Sequence, residues 1–463
     1  MSVETITLGC RLNFAESETM AETAPAGEDW IVVNSCAVTN EAVRQTRQAI
    51  RRAHKRRPDA KILVTGCAAE LDRDAFETMP EVSRVVGNAE KLSAFVPTRH
   101  PGLDPGPAFS SAAGKRRQAP ARGRGDEHGD VKASPAVPAG FLHRVKSFVA
   151  VQAGCDHRCT FCSIWQARGA SHSLPFEAIR DAIAREIDRG AKEIVLTGVD
   201  ITDYEGGLGG LCQRLLAAEP RLQRLRLSSL DGVEMDEALF ELIVGEPRLL
   251  PHFHLSLQAG DDLILKRMKR RHSRTDAVRT VERIKAARPD ATIGADLIAG
   301  FPTETEEMAL NSLKLLDDCD IIAAHIFPFS PRPDTPAARM PQLEREIVKA
   351  RAARLRETAR HRRERWLASL IGTRHRVLVE GEGKGHADNF APVAVDGDRR
   401  GDIVEVRIIA RDGDHLVGSS ECAGSTACAA AFPRPRKRSR TTSPASPAAP
   451  RSTPPPSTTS RRR

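Results

Sequence analysis

Three cysteines lie close together in the middle of the chain, in the segment Cys155-Asp-His-Arg-Cys159-Thr-Phe-Cys162. They follow a run of apolar and β-branched residues, so the loop begins at the end of a predicted strand. Three thiolates on one loop can each bind one iron of a 4Fe-4S cube and leave the fourth iron without a protein ligand. The C-x3-C-x2-C spacing therefore predicts an iron–sulfur cluster with one open iron, held by Cys155, Cys159 and Cys162.

Two other uses of these cysteines stay open from the residues alone. Zinc prefers four ligands and usually takes them as two C-x2-C pairs, so His157 or a distant residue would have to complete the site. A disulfide would leave one of the three cysteines unpaired, and nothing in the chain indicates an oxidising compartment. The spacing favours the iron–sulfur cluster over both.

A second set of cysteines lies near the N-terminus, where a pattern recurs. Each member is a short β-branched run that ends in a small or polar residue and a cysteine, at residues 3–10, 30–36 and 61–67. Helical stretches at residues 15–23 and 41–55 separate the runs. This alternation predicts a small parallel sheet.

The carboxyl ends of parallel strands lie along one edge of a sheet, and ligands collect there. Cys10, Cys36 and Cys67 each follow a different strand, so we expect their thiols to converge although they are far apart in sequence. This placement predicts a second three-thiolate iron–sulfur cluster. The alternative is three buried structural cysteines, because free cysteine is commonly buried.

Apolar runs in the central region predict the strands that position the first cluster. Six apolar runs recur at residues 147–152, 193–198, 224–230, 252–258, 292–300 and 320–329. Amphipathic segments with helical spacing separate most of them, as at residues 177–189 and 275–287. Alternating strands and helices in this number predict a partial parallel barrel of six strands rather than a closed one of eight.

Polar residues follow the ends of these runs, and in parallel barrels the active site is built at that face. The candidates for cofactor contacts are Thr197, Asp200, Ser228, Glu234 and Gln258. Any single serine or aspartate at such a place can also be a turn residue or a helix cap. The sequence does not identify a catalytic residue.

The C-terminal part contains a basic helix followed by short strands. Residues 343–370 have helical spacing and many arginines, so this helix is either a solvated surface helix or an RNA-facing one. Short runs at residues 375–378, 389–395, 402–409 and 415–418, with Gly and Asp turns between them, predict a small β-barrel.

Composition shifts suggest the domain boundaries. We expect an α/β domain at residues 1–98, a disordered linker or insertion at 99–143, the partial barrel with its basic helix at 144–370, the small β-barrel at 371–420 and a disordered basic tail at 421–463. The linker and the tail are rich in Pro, Ser, Ala and Arg and lack the apolar residues that build a core. Cys422 and Cys428 lie in the tail and are not expected to be ligands.

Composition also constrains the setting. A formal net charge of +9 and a pI near 9.2 favour an anionic partner such as nucleic acid, although part of the excess lies in the linker and the tail. The N-terminus lacks the charged start and apolar core of a signal peptide, and no apolar run reaches the roughly 18 residues of a membrane span. We therefore expect a cytoplasmic protein, whose ten cysteines serve metal binding or chemistry rather than disulfides.

Several segments together resemble the methylthiotransferases of the radical S-adenosylmethionine superfamily, over residues 1–98 and 144–420. The segments are Thr7-Leu-Gly-Cys10-Arg-Leu-Asn13, Asn34-Ser-Cys36, Thr65-Gly-Cys67, Gly154-Cys-Asp-His-Arg-Cys159-Thr-Phe-Cys162, His254-Leu-Ser-Leu-Gln-Ala-Gly-Asp-Asp262, Gly300-Phe-Pro-Thr-Glu-Thr-Glu306 and His325-Ile-Phe-Pro-Phe-Ser330. The central region is similar to the radical S-adenosylmethionine barrel and the C-terminal strands to the RNA-binding TRAM domain. After Cys162 the family usually continues Ile-Ile-Pro-Tyr-Gly-Arg-Gly, whereas this chain has Ser163-Ile-Trp-Gln-Ala-Arg168-Gly169.

The resemblance implies a transferase that uses two 4Fe-4S clusters and S-adenosyl-L-methionine. One S-adenosylmethionine would methylate sulfur held at the N-terminal cluster, and a second would be cleaved to a radical that activates carbon 2 of an adenine. Leu-Gly-Cys-Arg-Leu-Asn and Gly-Cys-Asp-His-Arg-Cys are similar to the branch that acts on N6-threonylcarbamoyladenosine, at position 37 next to the anticodon of tRNA. The implied partners are the tRNA anticodon stem-loop, an electron donor and a sulfur source, the last two of unknown identity.

Two other functions are retained at this point. Within the same class, the substrate could be isopentenyladenosine in tRNA or an aspartate of a ribosomal protein. In a different class, the chain would be a non-catalytic zinc protein that binds RNA through its basic segments.

Overall fold

The computed structural model describes residues 3–25, 27–95, 139–140, 145–397 and 399–420. The predicted tail at residues 421–463 lies outside the described residues, and so does the predicted linker except for two residues. None of the described helices combines the length and the apolar composition that a membrane span requires.

The N-terminal domain is a parallel four-stranded sheet in the order β1-β2-β3-β4. Its strands are β1 (Glu4–Thr7), β2 (Trp30–Ser35), β3 (Lys61–Gly66) and β4 (Arg84–Val85). Its helices are α1 (Arg11–Thr23), α2 (Asn40–Arg56), α3 (Cys67–Leu71) and α4 (Arg73–Glu77), with a 3-10 helix at Lys91–Ser93. The three predicted strands and the parallel sheet are confirmed, and β4 is an addition to the prediction.

The central domain contains nine strands, two of which form a separate small pair. They are β5 (Ala139–Gly140), β6 (Lys146–Ala150), β7 (Gln152–Ala153), β8 (His172–Ser173), β9 (Glu193–Thr197), β10 (Leu225–Leu227), β11 (His252–Gln258), β12 (Thr292–Ala299) and β13 (Ile321–Pro328). The helices are α5 (Ile164–Arg168), α6 (Phe176–Asp188), α7 (Leu208–Ala218), α8 (Glu237–Gly245), α9 (Asp262–Met268), α10 (Arg274–Ala287), α11 (Glu306–Asp318) and α12 (Arg345–Ser369). Shorter 3-10 helices lie at Ile201–Asp203, Gly232–Glu234 and Pro336–Arg339.

Six of these strands form the predicted partial barrel. β6, β9 and β10 pair in parallel, and so do β11, β12 and β13. Two isolated parallel bridges, Leu225 to Leu249 and Leu230 to Leu255, join the two halves. All six predicted strands are confirmed, and the helices cover their outer face through a core that includes Val149, Leu196 and Ile293.

One expectation about the linker is corrected. Residues 139 and 140 belong to the predicted linker at 99–143, but the structure places them in β5, antiparallel to Phe148 and Val149 of β6. A two-residue edge strand carries too little apolar pattern to be distinguished from a loop by sequence.

The N-terminal domain fills the opening between the two outer strands of the barrel. Phe14 of α1 packs edge-on against Phe148 of β6, with ring centroids 5.4 Å apart. On the other side, Asn40 at the start of α2 donates its side-chain amide to the Pro331 carbonyl at 3.1 Å, just after β13. The N-terminal domain therefore contacts both edges of the six-stranded barrel.

The C-terminal domain is a closed five-stranded barrel in the order β14-β15-β16-β18-β17. Its strands are β14 (Arg374–Gly381), β15 (Lys384–Ala387), β16 (Pro392–Val395), β17 (Ile403–Asp412) and β18 (His415–Ser419). The predicted small barrel is confirmed, but the sequence pattern missed β15. This domain lies at the amino ends of the central strands, where Arg226 donates to the Ala387 and Asp388 carbonyls at 2.9 Å each.

The predicted basic helix is α12, which packs along β13. Several of its arginines are engaged within the chain, as when Arg351 donates to the carboxylate of Glu304 at 2.8 Å and Arg356 to the Ile326 carbonyl at 2.9 Å. Arg362 similarly pairs with Asp320 at 2.9 Å. These contacts support a structural role for this face of the helix, and RNA contact by α12 stays a prediction.

Candidate functional site

The loop with Cys155, Cys159 and Cys162 follows β6 and the short β7, at the carboxyl end of the first barrel strand. Gly154 has a φ of +76°, and a Cβ atom built on it would lie 1.8 Å from the Ala170 carbonyl oxygen. The Cys155 amide donates to the Gly169 carbonyl at 3.1 Å. Glycine at position 154 is therefore needed for the tight approach that holds the loop against residues 169–170.

Two thiols of this loop, those of Cys155 and Cys162, are poor ligands in their protonated form, and burial favours that form. Burial raises the pKa of Cys155 to about 12 and that of Cys162 to about 11, and the neighbouring thiols raise both further. A metal ligand must be a thiolate, so a strongly cationic group has to bind here before these cysteines ionise near neutral pH.

The spacing of the thiols distinguishes between the two metals considered above. A single tetrahedral zinc ion with Zn–S bonds near 2.3 Å would bring its sulfurs to about 3.8 Å from one another. Both cysteine sets lie within the described residues, yet neither forms a group whose sulfurs are all within 4.8 Å of one another. A four-iron cube requires a wider spacing than a single zinc ion does, because each of its thiolate ligands binds a different iron.

Two of the predicted cofactor contacts meet around an imidazole that the sequence analysis considered only as a zinc ligand. The Nε2 atom of His157 lies 2.7 Å from the Asp200 carboxylate and 3.3 Å from that of Glu234. Thr202 joins them, because its hydroxyl donates to Asp200 at 2.9 Å. The hydrogen bond to Asp200 raises the pKa of His157 against the opposing effect of burial. Such a cluster can bind the amino group or the ribose hydroxyls of a nucleoside cofactor.

The donors grouped around His157 are not those of a three-cysteine zinc site. His157 forms a possible metal group with Cys155 and Asp200, but Cys159 and Cys162 are not part of that group. The donors are those of a carboxylate–imidazole pair beside the cluster loop.

The remaining candidates are placed at the same face of the barrel without joining that cluster. Thr197 ends β9 and is 2% exposed, Ser228 follows β10, and Gln258 ends β11 with a φ of +66°. Among the described residues, none of their side chains hydrogen-bonds to Asp200 or Glu234. Their role as cofactor contacts stays a prediction.

A glutamine that the sequence analysis did not single out orients the Asp200 loop. The Oε1 atom of Gln152 accepts hydrogen bonds from the backbone amides of Val199 and Asp200 at 3.1 and 2.8 Å. Its amide group donates to the Gly154 carbonyl at 2.9 Å. Gln152 thus links the cluster loop to Asp200. The sequence feature that could have identified it is its position directly before Ala153-Gly154-Cys155.

Cys10, Cys36 and Cys67 follow β1, β2 and β3, at one edge of the N-terminal sheet as predicted. A Cβ atom at Gly9 would lie 2.7 Å from the sulfur of Cys36, so a glycine is needed where the two loops pass. Burial raises the pKa of Cys36 to about 11, and the Cys10 and Cys67 thiols add to the effect. The structure therefore places the three cysteines at one edge of the sheet, and three thiols are a donor set that suits a multi-iron cluster.

An arginine joins the two cysteine sets. The Nε atom of Arg168, in the helix that follows the first cluster loop, donates to the Cys67 sulfur at 3.3 Å. Its Nη atoms donate to Glu16 and Asn13 of α1 at 2.6 Å each. Lys91 also donates to Glu16 at 2.5 Å, and the side chains of Arg168, Glu16 and Lys91 are 4%, 6% and 2% exposed.

A second arginine, Arg270, contacts a cysteine of the central loop. Arg270 points its Nη1 atom at the Cys159 sulfur at 3.6 Å, while its Nη2 atom donates to the Asp231 carboxylate at 2.7 Å. Each cysteine set thus has one thiol within reach of a guanidinium. Hydrogen bonds to a ligating sulfur change the reduction potential of an iron–sulfur cluster.

The comparison with known proteins agrees with this geometry. Residues 149–316 match the Radical SAM superfamily, and residues 2–87 match an uncharacterized protein family, UPF0004. The chain is 41% identical over 403 residues to the threonylcarbamoyladenosine tRNA methylthiotransferase MtaB of Rickettsia prowazekii, covering 85% of this chain and 91% of that protein.

Two further relatives are similar over most of their length. The protein of the same name from Thermotoga maritima is 33% identical over 421 residues, covering 87% of this chain and 93% of that protein. The tRNA-2-methylthio-N(6)-dimethylallyladenosine synthase of Erythrobacter litoralis is 34% identical over 440 residues, covering 89% of this chain and 95% of that protein.

Proposed function

Because the chain belongs to the methylthiotransferase family of radical S-adenosylmethionine enzymes, we propose that it methylthiolates carbon 2 of N6-threonylcarbamoyladenosine at position 37 of tRNA. The observation that carries the substrate is the identity of 41% over 91% of a relative named for threonylcarbamoyladenosine. The relative named for dimethylallyladenosine is 34% identical. The threonylcarbamoyl group is therefore the better supported substrate.

The two cysteine sets supply the cofactor sites in this proposal. Cys155, Cys159 and Cys162 would hold the cluster that binds S-adenosylmethionine, and Cys10, Cys36 and Cys67 the cluster that holds the transferred sulfur. When bound, these groups supply the radical and the methylthio chemistry. The chain's own contribution is to hold the two sets at a fixed distance, which it does through Arg168 and the buried charges of α1.

The proposed partner is tRNA, and the C-terminal barrel carries groups that suit it. Arg374 and Arg376 occupy exposed positions of β14, and Arg407 lies opposite Arg374 on β17. Basic side chains on neighbouring strands can contact successive phosphates of an RNA backbone. The electron donor, the sulfur source and the cytoplasmic location stay predictions.

The substrate is tested by mass spectrometry of nucleosides from bulk tRNA of cells that lack this gene and of cells in which it is restored. We expect 2-methylthio-threonylcarbamoyladenosine to disappear and to return. An unchanged level of this nucleoside, with loss of the 2-methylthio-isopentenyl product instead, would overturn the substrate assignment in favour of the second relative.

The cofactor assignment is tested by iron content and cofactor cleavage in protein purified without oxygen. The intact chain should bind about eight irons, and alanine at Cys10, Cys36 and Cys67 should lower this to about four. That variant should still cleave S-adenosylmethionine, whereas alanine at Cys155, Cys159 and Cys162 should abolish cleavage. The Cys319→Ala variant serves as the control. Cys319 is buried in the core of the central domain, so this variant should leave the iron content unchanged.

A further inference from the structure

The inner wall of the central barrel carries a carboxylate, that of Asp296, one oxygen of which contacts two imidazoles. The Asp296 Oδ1 atom lies 3.0 Å from His254 Nε2 and 3.1 Å from His325 Nδ1. The two imidazoles are themselves in contact, with ring centroids 4.7 Å apart. Ile293, Ala295 and Leu297 of β12 face the helices, so Asp296, which alternates with them, points into the barrel.

A second carboxylate of the wall is engaged as well. Glu193, at the start of β9, accepts hydrogen bonds from Arg224 and Arg226, each at 2.9 Å. Both arginines are buried, and their remaining donors bind Asp388 and the Ala387 and Asp388 carbonyls of the C-terminal barrel. Both carboxylate oxygens of Glu193 are therefore bound, whereas the two contacts of Asp296 are made by one of its oxygens.

The guanidinium of Arg11 lies near an aromatic ring, and the charges of Glu193 and Arg226 act on it. Arg11 is the first residue of α1, the helix that fills the opening of the barrel, and its guanidinium lies 5.9 Å from the centroid of the Phe148 ring. Within the described part of the chain it makes no hydrogen bond and no ion pair. Burial and the nearby charge of Arg226 lower its pKa, against the effect of Glu193.

The histidine at the start of β11 shows how close these cations are to one another. Burial lowers the pKa of His252 well below its usual value, and the charges of Arg226, His254, Arg11 and His325 lower it further. Several cations therefore act on His252, and Arg11 is one that has no carboxylate within hydrogen-bond distance in the described part of the chain.

We infer that Arg11 binds the carboxylate of the threonylcarbamoyl group and so selects this nucleoside against those with an apolar N6 substituent. The inference rests on the proposed function, in which the threonine carboxylate is the ionised group of the modified base. A guanidinium pairs with a carboxylate through two parallel hydrogen bonds, which give both affinity and orientation. Arg11 directly follows Cys10 in the chain and begins α1. In this arrangement Arg11 is a specificity residue that touches the substrate.

The test compares binding of three fluorescent anticodon stem-loop RNAs that differ at position 37. One carries threonylcarbamoyladenosine, one its methyl ester and one unmodified adenosine. The intact protein, purified without oxygen, should bind the acid about tenfold to a hundredfold more tightly than the ester, because the ester removes a charged hydrogen-bonded pair.

The decisive variant is Arg11→Gln, which removes the charge but keeps a polar side chain of similar reach. It should bind the acid and the ester with equal affinity, and Arg11→Lys should recover part of the difference, because it restores the charge without the planar fork. Arg279→Gln is the matched control, since Arg279 is an exposed residue on an outer helix of the barrel and the variant should keep the full preference for the acid. Unchanged iron content would show that each variant has folded.

Two results would overturn the inference. If Arg11→Gln weakened all three RNAs by the same factor, Arg11 would contact the phosphate backbone instead. If the variant kept the full preference for the acid, another group would read the carboxylate. Failure of the proposed function would look different, because the intact protein would then leave the acid-bearing RNA unmodified in the complete reaction, whatever stands at position 11.

Discussion

The buried ion pairs of Glu16 give the sharpest prediction about how the N-terminal domain is held. Burial opposes ionisation of this carboxyl, but Lys91 and Arg168 outweigh it, so the pKa of Glu16 falls from 4.5 to about 2. At 1.36 kcal/mol per pKa unit, this corresponds to about 3 kcal/mol in favour of the charged carboxylate. Glu16→Gln should therefore destabilise the domain by about 3 kcal/mol, because it leaves two buried cations without their counter-charge.

The assay is urea unfolding followed by tryptophan fluorescence. The chain has three tryptophans, so Trp165→Phe and Trp366→Phe leave Trp30 of β2 as the reporter of the N-terminal sheet. Glu77→Gln is the control, because Glu77 pairs with Arg73 on the surface and both side chains are about half exposed. Such a pair contributes about 0.5 kcal/mol or less.

A double-mutant cycle then isolates the interaction. Lys91→Met should also destabilise the N-terminal domain. The double variant should be more stable than the sum of the two single changes predicts, because it leaves fewer charges buried and unpaired. The reasoning would be refuted if Glu16→Gln cost no more than Glu77→Gln, or if the Glu16 and Lys91 changes were additive.

Three further predictions concern pH, the cluster loop and the junction of the two barrels. The stability difference between the intact chain and Glu16→Gln should be constant above about pH 4.5 and shrink as the pH falls toward 2 in the same urea assay, because a lowered folded-state pKa gives stability that is lost as the pH falls through it. Gly154→Ala should lose the iron of the loop cluster, measured by iron content, because its Cβ would lie 1.8 Å from the Ala170 oxygen, whereas Gly210→Ala, with nothing within 4 Å, should keep it. Glu193→Gln should cost about 3–5 kcal/mol in thermal unfolding because it leaves Arg224 and Arg226 buried without their carboxylate.

The strands of the N-terminal sheet and of the central barrel could be predicted because their own residues favour the extended conformation. β3 is Lys-Ile-Leu-Val-Thr-Gly, a β-branched run that ends in glycine, and β12 has the same apolar character over eight residues. Parallel strands buried on both faces give continuous apolar runs of this kind. β15 was missed because Lys-Gly-His-Ala contains no β-branched residue. This strand is recognised only by its hydrogen bonds to β14 and β16, which the sequence does not show.

The charged contacts of the site could not be predicted in the same way. Lys91 and Glu16 are 75 positions apart and Arg168 and Glu16 are 152 apart, so no local pattern links them. A buried lysine also contradicts the usual preference of that residue for the surface, and only its partner explains it. The positions of the cysteines were predictable because they follow strand ends, whereas a pairing cation can come from any part of the chain.

The placement of the two cysteine sets shows how such an enzyme can keep two reactive centres in register. Apolar contacts such as Phe14 against Phe148 bring α1 to the barrel, but they are non-directional and tolerate small shifts. The guanidinium of Arg168 is planar, and its bonds to Asn13, Glu16 and the Cys67 sulfur fix its orientation in three directions. Because Arg168 follows Cys162 by only six residues, any movement of α1 relative to the first cluster loop would break at least one buried bond. The distance between the proposed sulfur-holding and radical centres is therefore set by charge pairing, which is directional. The free-energy cost of desolvating these buried charges is offset by the apolar surface that α1 buries.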